Sequence, residues 1–288
     1  MTGSKLNLFD LAPGKVLLDR FRILRPHRQA GMSAAFEVES TADGRKLELQ
    51  VFLGNLFEDA AQAGEFAQRL EPWKAIEASE VVKLLELTLL DDGTLVYVSE
   101  FPSGKSLREV LAEGNTLSVD ATMALATSLF AGLEEIHGAG LVHGDIKPES
   151  IYFDPEAGTA KLVDGGITPG MWAAKHLGTR TALIGTPFYA PLEQFTGDSP
   201  DDISDLYSVA TVLYEAVAGV LPWSGQSFIE VFQSKMTKTP PAMSVRAPGA
   251  RVPTDLERAI AKGMMGARAE RYGSVDEFRE AFGALQLS

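Results

Sequence analysis

The chain contains no cysteine, which excludes disulfides, thiolate metal sites and cysteine nucleophiles. Its four histidines (His27, His137, His143 and His176) are scattered and do not make a zinc site. No apolar run approaches the ~18 residues that a spanning helix needs. The opening MTGSKLNLFDLAPGK lacks the continuous apolar stretch of a signal peptide. The expected location is therefore the cytoplasm, unless the chain is cut from a longer receptor. Positive charge is also scarce: 26 Lys and Arg face 39 Asp and Glu, for a net charge of −13. Such a surface repels nucleic acid and anionic lipid, so neither is expected as a partner. The plain reading of the charge is solubility. A polyanionic ligand such as a nucleotide would need local cations or a metal to be held.

What is present is an ordinary globular composition, 45% apolar and 23% charged over 288 residues, without internal repeats or low-complexity stretches. The first hundred residues alternate short apolar runs with turn signals. RFRIL, AAFEVES and KLELQVFL read as strands, with Asp43-Gly44 as the hairpin signal between the last two. TLVYVSEF, residues 94–101, reads as a buried strand entered through Asp91-Asp92-Gly93. Residues 58–77 read as a helix that Pro72 breaks or kinks. After Phe101 the pattern becomes helical. Val119, Met123, Ala126, Phe130 and Leu133 recur at three- and four-residue spacing, and the helix stops near Gly138 and Gly140. DLYSVATVLYEAVAG, residues 205–219, is apolar nearly all round, as a core helix should be. Helices at 255–265 and 274–285 follow. FPSGK marks a boundary near residues 101–105, and a cleft between a small β-rich unit and a larger helical one is a natural ligand site.

Five segments carry chemistry in a fixed order: VHGDIKPES (142–150), KLVDGG (161–166), GTPFYAPLEQ (185–194), SDLYSVATVLYE (204–215) and RAERY (268–272). Asp145 and Asp164 are 19 residues apart, and Glu193 and Asp205 are 12 apart. Together these segments resemble protein kinases of the bacterial Ser/Thr type, and the resemblance runs from about Gly14 to Phe282. It implies an α+β, two-lobed protein-kinase-like fold. Residues 1–14 would be an N-terminal extension, 15–101 a small β-rich N-lobe and 102–288 a larger α-helical C-lobe.

Phosphoryl transfer asks a protein for positioning and charge neutralisation more than for covalent chemistry. The resemblance places Asp145 where a base orients the attacking hydroxyl, Lys147 where a cation steadies the transferred phosphate, and Asp164 where a carboxylate bridges metal to phosphate. His143 is expected to pack and hydrogen-bond within its loop. Asp205 is expected to hold that loop's backbone from the buried helix. Glu193 and Arg271 are expected to form a buried ion pair tying the activation segment to the C-lobe. These four support the fold and say little about activity.

The nucleotide side departs from the pattern. The three glycines that let backbone N–H groups approach phosphates fall on Arg28, Ala30 and Ser33, with only Gly31 left in the loop. The strand lysine falls on Gln50, and the small residue that packs on the base falls on Glu48. Alternation puts Glu48 and Gln50 on one face and Leu47, Leu49 and Val51 on the other. A carboxylate under an apolar base is costly to desolvate. The second metal ligand falls on Ser150, a partial loss, since serine can coordinate magnesium. Gly165 replaces an aromatic anchor of the metal motif and is expected to loosen that segment. In the small-lobe helix the glutamate position falls on Arg69, with Glu65 and Glu71 nearby.

Loss of one preorganised charge-stabilising donor costs on the order of 10²–10³ in rate, and several are missing here. The leading expectation is a pseudokinase, a signalling scaffold or protein-binding module with weak or absent ATP binding. Its partner would be another signalling protein, such as an active kinase, and it would need no cofactor. A second expectation is an atypical Ser/Thr kinase using ATP and Mg, with Arg28 or Lys46 supplying the relocated cation. A third is a small-molecule sensor whose altered cleft is lined by Glu48, Gln50, Ser99 and Asp164. Thr179, Thr181 and Thr186 are candidate phosphate acceptors in the activation segment.

Overall fold

Asp43 and Gly44 turn the chain between two strands of a six-stranded antiparallel sheet, with Gly44 at φ +73° as the tight turn requires. In the computed structural model, residues 6–8, 11–30, 32–175, 187–225, 227–236 and 239–286 are described. Thr179, Thr181, Thr186, His176 and Gly31 lie outside that set. The chain divides into two compact units. The first comprises residues 1–77, 82–103 and 173–176, and the second comprises the rest.

The first unit is built on strands β1 (Val16–Leu17), β2 (Phe21–Ala30), β3 (Ser33–Ser40), β4 (Lys46–Phe52), β5 (Leu84–Leu89) and β6 (Leu95–Glu100). Their order across the sheet is β1-β2-β3-β4-β6-β5. Strand alternation sorts the two faces. Phe21, Ile23, Phe36, Val38, Leu47, Leu49, Val51, Val96 and Val98 join Leu11 in one buried apolar cluster. The opposite face carries Glu37, Glu48 and Ser99 side by side, since Glu48 pairs across the ladders with Glu37 and with Ser99. Gln50 lies next along it, paired with Ala35 and Tyr97.

A single helix of the first unit, α1 (Ala60–Leu70), is capped by Asp59, whose carboxylate accepts from the Gln62 N–H. It ends at Leu70, and Pro72 opens a 3-10 turn over Glu71–Ala75, so the helix expected over 58–77 is shortened by its proline. Its buried stripe is Ala63, Phe66 and Leu70, and the Phe66 ring sits 5.1 Å from that of Phe52 on β4. Glu65 and Arg69 are exposed. The helix is therefore fixed to the sheet by aromatic contact and presents no charge on its buried stripe.

The second unit is mainly helical. It contains α2 (Leu107–Gly114), α3 (Val119–Gly138), the hairpin β7 (Ile151–Asp154) and β8 (Thr159–Leu162), and α4 (Ile167–Ala174), whose last residues group with the first unit. Then come α5 (Leu192–Phe195), α6 (Asp202–Ala218), α7 (Phe228–Lys235), α8 (Met243–Arg246), α9 (Thr254–Gly263) and α10 (Val275–Gly283). From Ser204 to Ala218, α6 is buried throughout, as its all-round apolarity implies. Gly263 lets α9 approach α6 so closely that an added Cβ would meet Ala210 Cβ at 2.6 Å. Phe130, Tyr272, Phe278 and Phe282 stack between α3 and α10, with Tyr272 and Phe278 4.1 Å apart.

The segment after Gly165 differs from expectation. Instead of a loosened run, Ile167–Ala174 is a helix with Met171 and Ala174 fully buried and Trp172 nearly so. Gly166, at φ +76°, donates its N–H to the His143 carbonyl at 3.1 Å and accepts from Gly170 N at 2.8 Å. Apolar residues at helical spacing supply the anchorage that the aromatic would have given.

Phe66→Ala should lower stability by about 3–5 kcal/mol, the usual loss for a buried aromatic, read as a drop in the urea midpoint. An unchanged midpoint would show that α1 is held by something other than Phe66.

Candidate active site

Residues 142–150 run from the end of α3 to the start of β7, and a carboxylate on α6 holds their backbone. Asp205, 1% exposed, accepts from His143 N and Gly144 N, both at 2.8 Å, and from His137 Nε2 at 3.0 Å. His143 is fully buried. Its Nε2 donates to the Val163 carbonyl at 2.9 Å and its Nδ1 accepts from Asp145 N at 3.3 Å, which defines a neutral imidazole. Burial pushes its pKa below the usual imidazole value. Gly144, at φ +81°, also makes room for Pro169 of α4, whose Cδ would lie 2.5 Å from an added Cβ.

Asp145 and Lys147 are brought together as a side-chain ion pair, each about a fifth exposed. Ser150 is buried. Its hydroxyl accepts from Lys147 N at 3.0 Å and faces the carbonyls of Asp145 and Lys147, both at 3.0 Å. The hydroxyl proton therefore stays in the loop, and the residue braces a 3-10 turn at Pro148–Ser150. Asp164 follows β8 and has a left-handed backbone, φ +66°, an uncommon state that Asp tolerates better than most residues.

Three further clusters order the second unit. Arg271, with no side-chain exposure, pairs through NH1 and NH2 with Glu193 at 2.6 and 2.9 Å, and Arg268 reaches the same carboxylate at 3.2 Å. Lys235, nearly fully buried, donates to the carbonyls of Phe188 and Ala190 and lies over the rings of Tyr207 and Phe195. Burial pushes its amine well below the ordinary lysine pKa. Arg108 of α2 binds Glu149 and Glu215, both at 2.8 Å, and the Tyr189 hydroxyl. Neither Lys235 nor Arg108 stands out in the sequence. Each is one basic residue in an unremarkable helix, and only the tertiary fold brings their acceptors to them, from residues 188 and 190 for Lys235 and from Glu149, Tyr189 and Glu215 for Arg108.

In the first unit the residues expected on the sheet face are occupied with one another. Glu48, 1% exposed, accepts from Arg28 at 3.0 and 2.6 Å, contacts His27 Nδ1 at 2.6 Å and accepts from Gln50 Nε2 at 3.2 Å. Ser33 donates to Gln50 Oε1 at 2.9 Å. Ser99, buried beside Glu48, donates to the Glu100 carbonyl at 3.1 Å. Glu37 holds Arg25 at 2.7 Å and Lys46 at 2.8 Å, and its pKa is lowered chiefly by Lys46. The two candidate relocated cations, Arg28 and Lys46, are thus both engaged by carboxylates of the sheet itself.

His27 reaches Glu48 because of a β-bulge. Pro26 pairs with Phe36 and Arg28 with Ala35, so two steps on β2 face one on β3 and His27 is the extra residue. Simple alternation would have sent His27 and Arg28 to opposite faces.

The family model described as "Protein kinase domain" matches residues 58–262, more than half of the chain. The chain belongs to the protein kinase family. Among curated kinases, Serine/threonine-protein kinase pkn3 of Myxococcus xanthus is 26% identical over 278 residues, covering 94% of this chain and 51% of the relative. Serine/threonine-protein kinase pkn2 of the same organism is 34% identical over 220 residues, covering 75% of this chain and 26% of the relative. The chain spans about half or less of the length of these kinases. The crystal structure of the Mycobacterium tuberculosis PknI kinase domain superposes with a TM-score of 0.68 at 20% identity, covering 94% of this chain and 97% of that one. The fold is the kinase α+β arrangement, a curled β-sheet N-lobe and a helical C-lobe.

Kinase chemistry calls for ATP and Mg. Where the resemblance leads one to expect a small residue under the base and a lysine beside it, the sheet face carries a buried, ion-paired carboxylate, Glu48, and a neutral amide, Gln50. Among the described residues no helix is long and apolar enough to cross a membrane, and no group of three His, Asp or Glu side chains is placed to hold a metal ion.

Two outcomes follow from the buried charges. Glu193→Ala strands Arg271 without its counter-charge and should lower stability by about 3–5 kcal/mol, read by urea denaturation. A loss under about 1 kcal/mol would show the pair to be dispensable. The depressed pKa of His143 means that unfolded chains take up a proton below about pH 6.5 while the native fold does not. Stability present above that pH is therefore lost on acidification. Imidazole ¹⁵N spectra should keep His143 in its neutral Nε2–H form at pH 6, and protonation there would contradict the assignment.

Proposed function

We propose that this chain is a pseudokinase, a kinase-fold module that works by binding another protein and does not transfer phosphate from ATP. The observation that carries the reading is Glu48. Its carboxylate stands where the base would pack and is held by Arg28, His27 and Gln50. Nothing in that arrangement favours an adenine ring, and the cation that would anchor the phosphates is replaced by Gln50. In the same reading, Asp145, Lys147 and Asp164 keep the family's catalytic and metal positions as part of a well-ordered loop, and Ser150 serves that loop's backbone. The scaffold partner is a signalling protein such as an active Ser/Thr kinase, consistent with the kinases this chain resembles.

A second reading is active phosphotransfer. It is favoured by family membership and by the intact Asp145–Lys147 pair. It requires Arg28 to leave Glu48 when ATP arrives.

The experiment that separates the readings is a thermal-shift titration with ATP and Mg²⁺ or Mn²⁺, paired with a radiolabel transfer assay on a generic basic protein. The pseudokinase reading expects no shift at millimolar nucleotide and no transferred label. Label transfer that an Asp145→Asn change abolishes would overturn it.

A further inference from the structure

Glu48 lies on an inner strand, β4, between β3 and β6, where burial forces a carboxylate to find donors within the protein. Those donors form an ordered set. Arg28 presents Nε and NH2 to the two carboxylate oxygens at 3.0 and 2.6 Å, a forked, charge-assisted contact. His27 Nδ1 approaches Oε2 at 2.6 Å, and its ring lies 4.7 Å from that of Phe101. Ser33 fixes the Gln50 amide through Oε1, which turns Nε2 toward Glu48. The Arg28 and His27 side chains are 16% and 13% exposed, so the contact is largely withdrawn from water and weakly screened. Of these residues, Arg28, His27 and Ser33 come from the β2–β3 hairpin.

We infer that Glu48, Gln50 and Ser33 make a built seat for a planar cation, a guanidinium or amidinium, and that Arg28 is its resident ligand. Seated there, Arg28 ties the β2–β3 hairpin to β4 and covers the face beside Gln50. The hairpin is then ordered by an internal ion pair and needs no bound molecule to close it. The location of the seat rests on the proposed function only in taking this face as the former nucleotide face. Its chemistry, a buried carboxylate with a forked cation, stands on the contacts alone. An arginine is suited to it where a lysine is not, because the fork uses two N–H groups at once.

The test is hydrogen–deuterium exchange on the full chain without nucleotide, following peptides that cover residues 21–40. Arg28→Ala and Glu48→Gln should each speed exchange there by roughly tenfold or more, as loss of a charge-assisted bond implies. The double variant should be no faster than the worse single one, since both break the same contact. Methylguanidinium at low millimolar concentration should restore protection to Arg28→Ala but not to the double variant, with urea at the same concentration as the inert control. Unchanged exchange in the single variants, additive effects, or absence of rescue would each overturn the seat. If Glu48→Gln does not fold, Arg28→Lys takes its place and should restore only part of the protection lost in Arg28→Ala. Full protection by lysine would also overturn the seat. Because no nucleotide enters the measurement, phosphotransfer by the wild type would sink the pseudokinase reading and leave this one standing, and the converse also holds.

Discussion

A carboxylate removed from water must be given donors, and three such carboxylates, Asp205, Glu193 and Glu48, show how that shapes the chain. Asp205 takes two backbone N–H groups and an imidazole, and by doing so fixes the path of residues 142–145. Glu193 takes the fork of a fully buried arginine and so ties α5 to the turn before α10. Glu48 takes Arg28, His27 and Gln50 and draws a hairpin onto the sheet. In each case the penalty of an unsatisfied buried charge, several kcal/mol, exceeds what any local backbone preference could resist. The backbone follows the carboxylate.

The three sites differ in what they serve. Asp205 holds the backbone of a loop, and Glu193 holds the side chains of Arg271 and Arg268. Glu48 takes side chains, Arg28 and His27 from β2 and Gln50 from its own strand. The second unit has therefore kept an ordered catalytic-type loop, with Asp145 and Lys147 paired and Ser150 bracing the turn. The sheet of the first unit carries a polar network around Glu48 on the face opposite its apolar cluster. One fold carries both because its apolar cluster lies on the other face of the sheet and is indifferent to what Glu48 and Gln50 do. Likewise α1 is attached through Phe66 and Phe52, so it needs no charged partner on β4.

Much of this architecture was legible in the residues. The period of two in LELQVF separated Glu48 and Gln50 from Leu47, Leu49 and Val51, because a sheet with one apolar face enforces that sorting. The period of 3.6 marked α3, and the all-round apolarity of residues 205–219 marked α6. Other features were hidden for identifiable reasons. The helix at 167–174 follows two glycines and contains a proline and a third glycine, so local propensity argues against it, and burial of Met171, Trp172 and Ala174 overrides that. Arg108 and Lys235 meet partners dozens of positions away, a relation that no periodicity encodes.

The bulge at His27 carries one more consequence. Because Pro26 and Arg28 straddle a single step on β3, the charge network of this face is written in strand length as well as in residue identity. Removing one residue between Pro26 and Arg28 would take out this bulge, one of two register shifts on β2, and turn a neighbouring side chain away from Glu48. Divergence between kinase-fold chains at this face can therefore arise by a one-residue insertion, a change that a position-by-position comparison of motifs does not register.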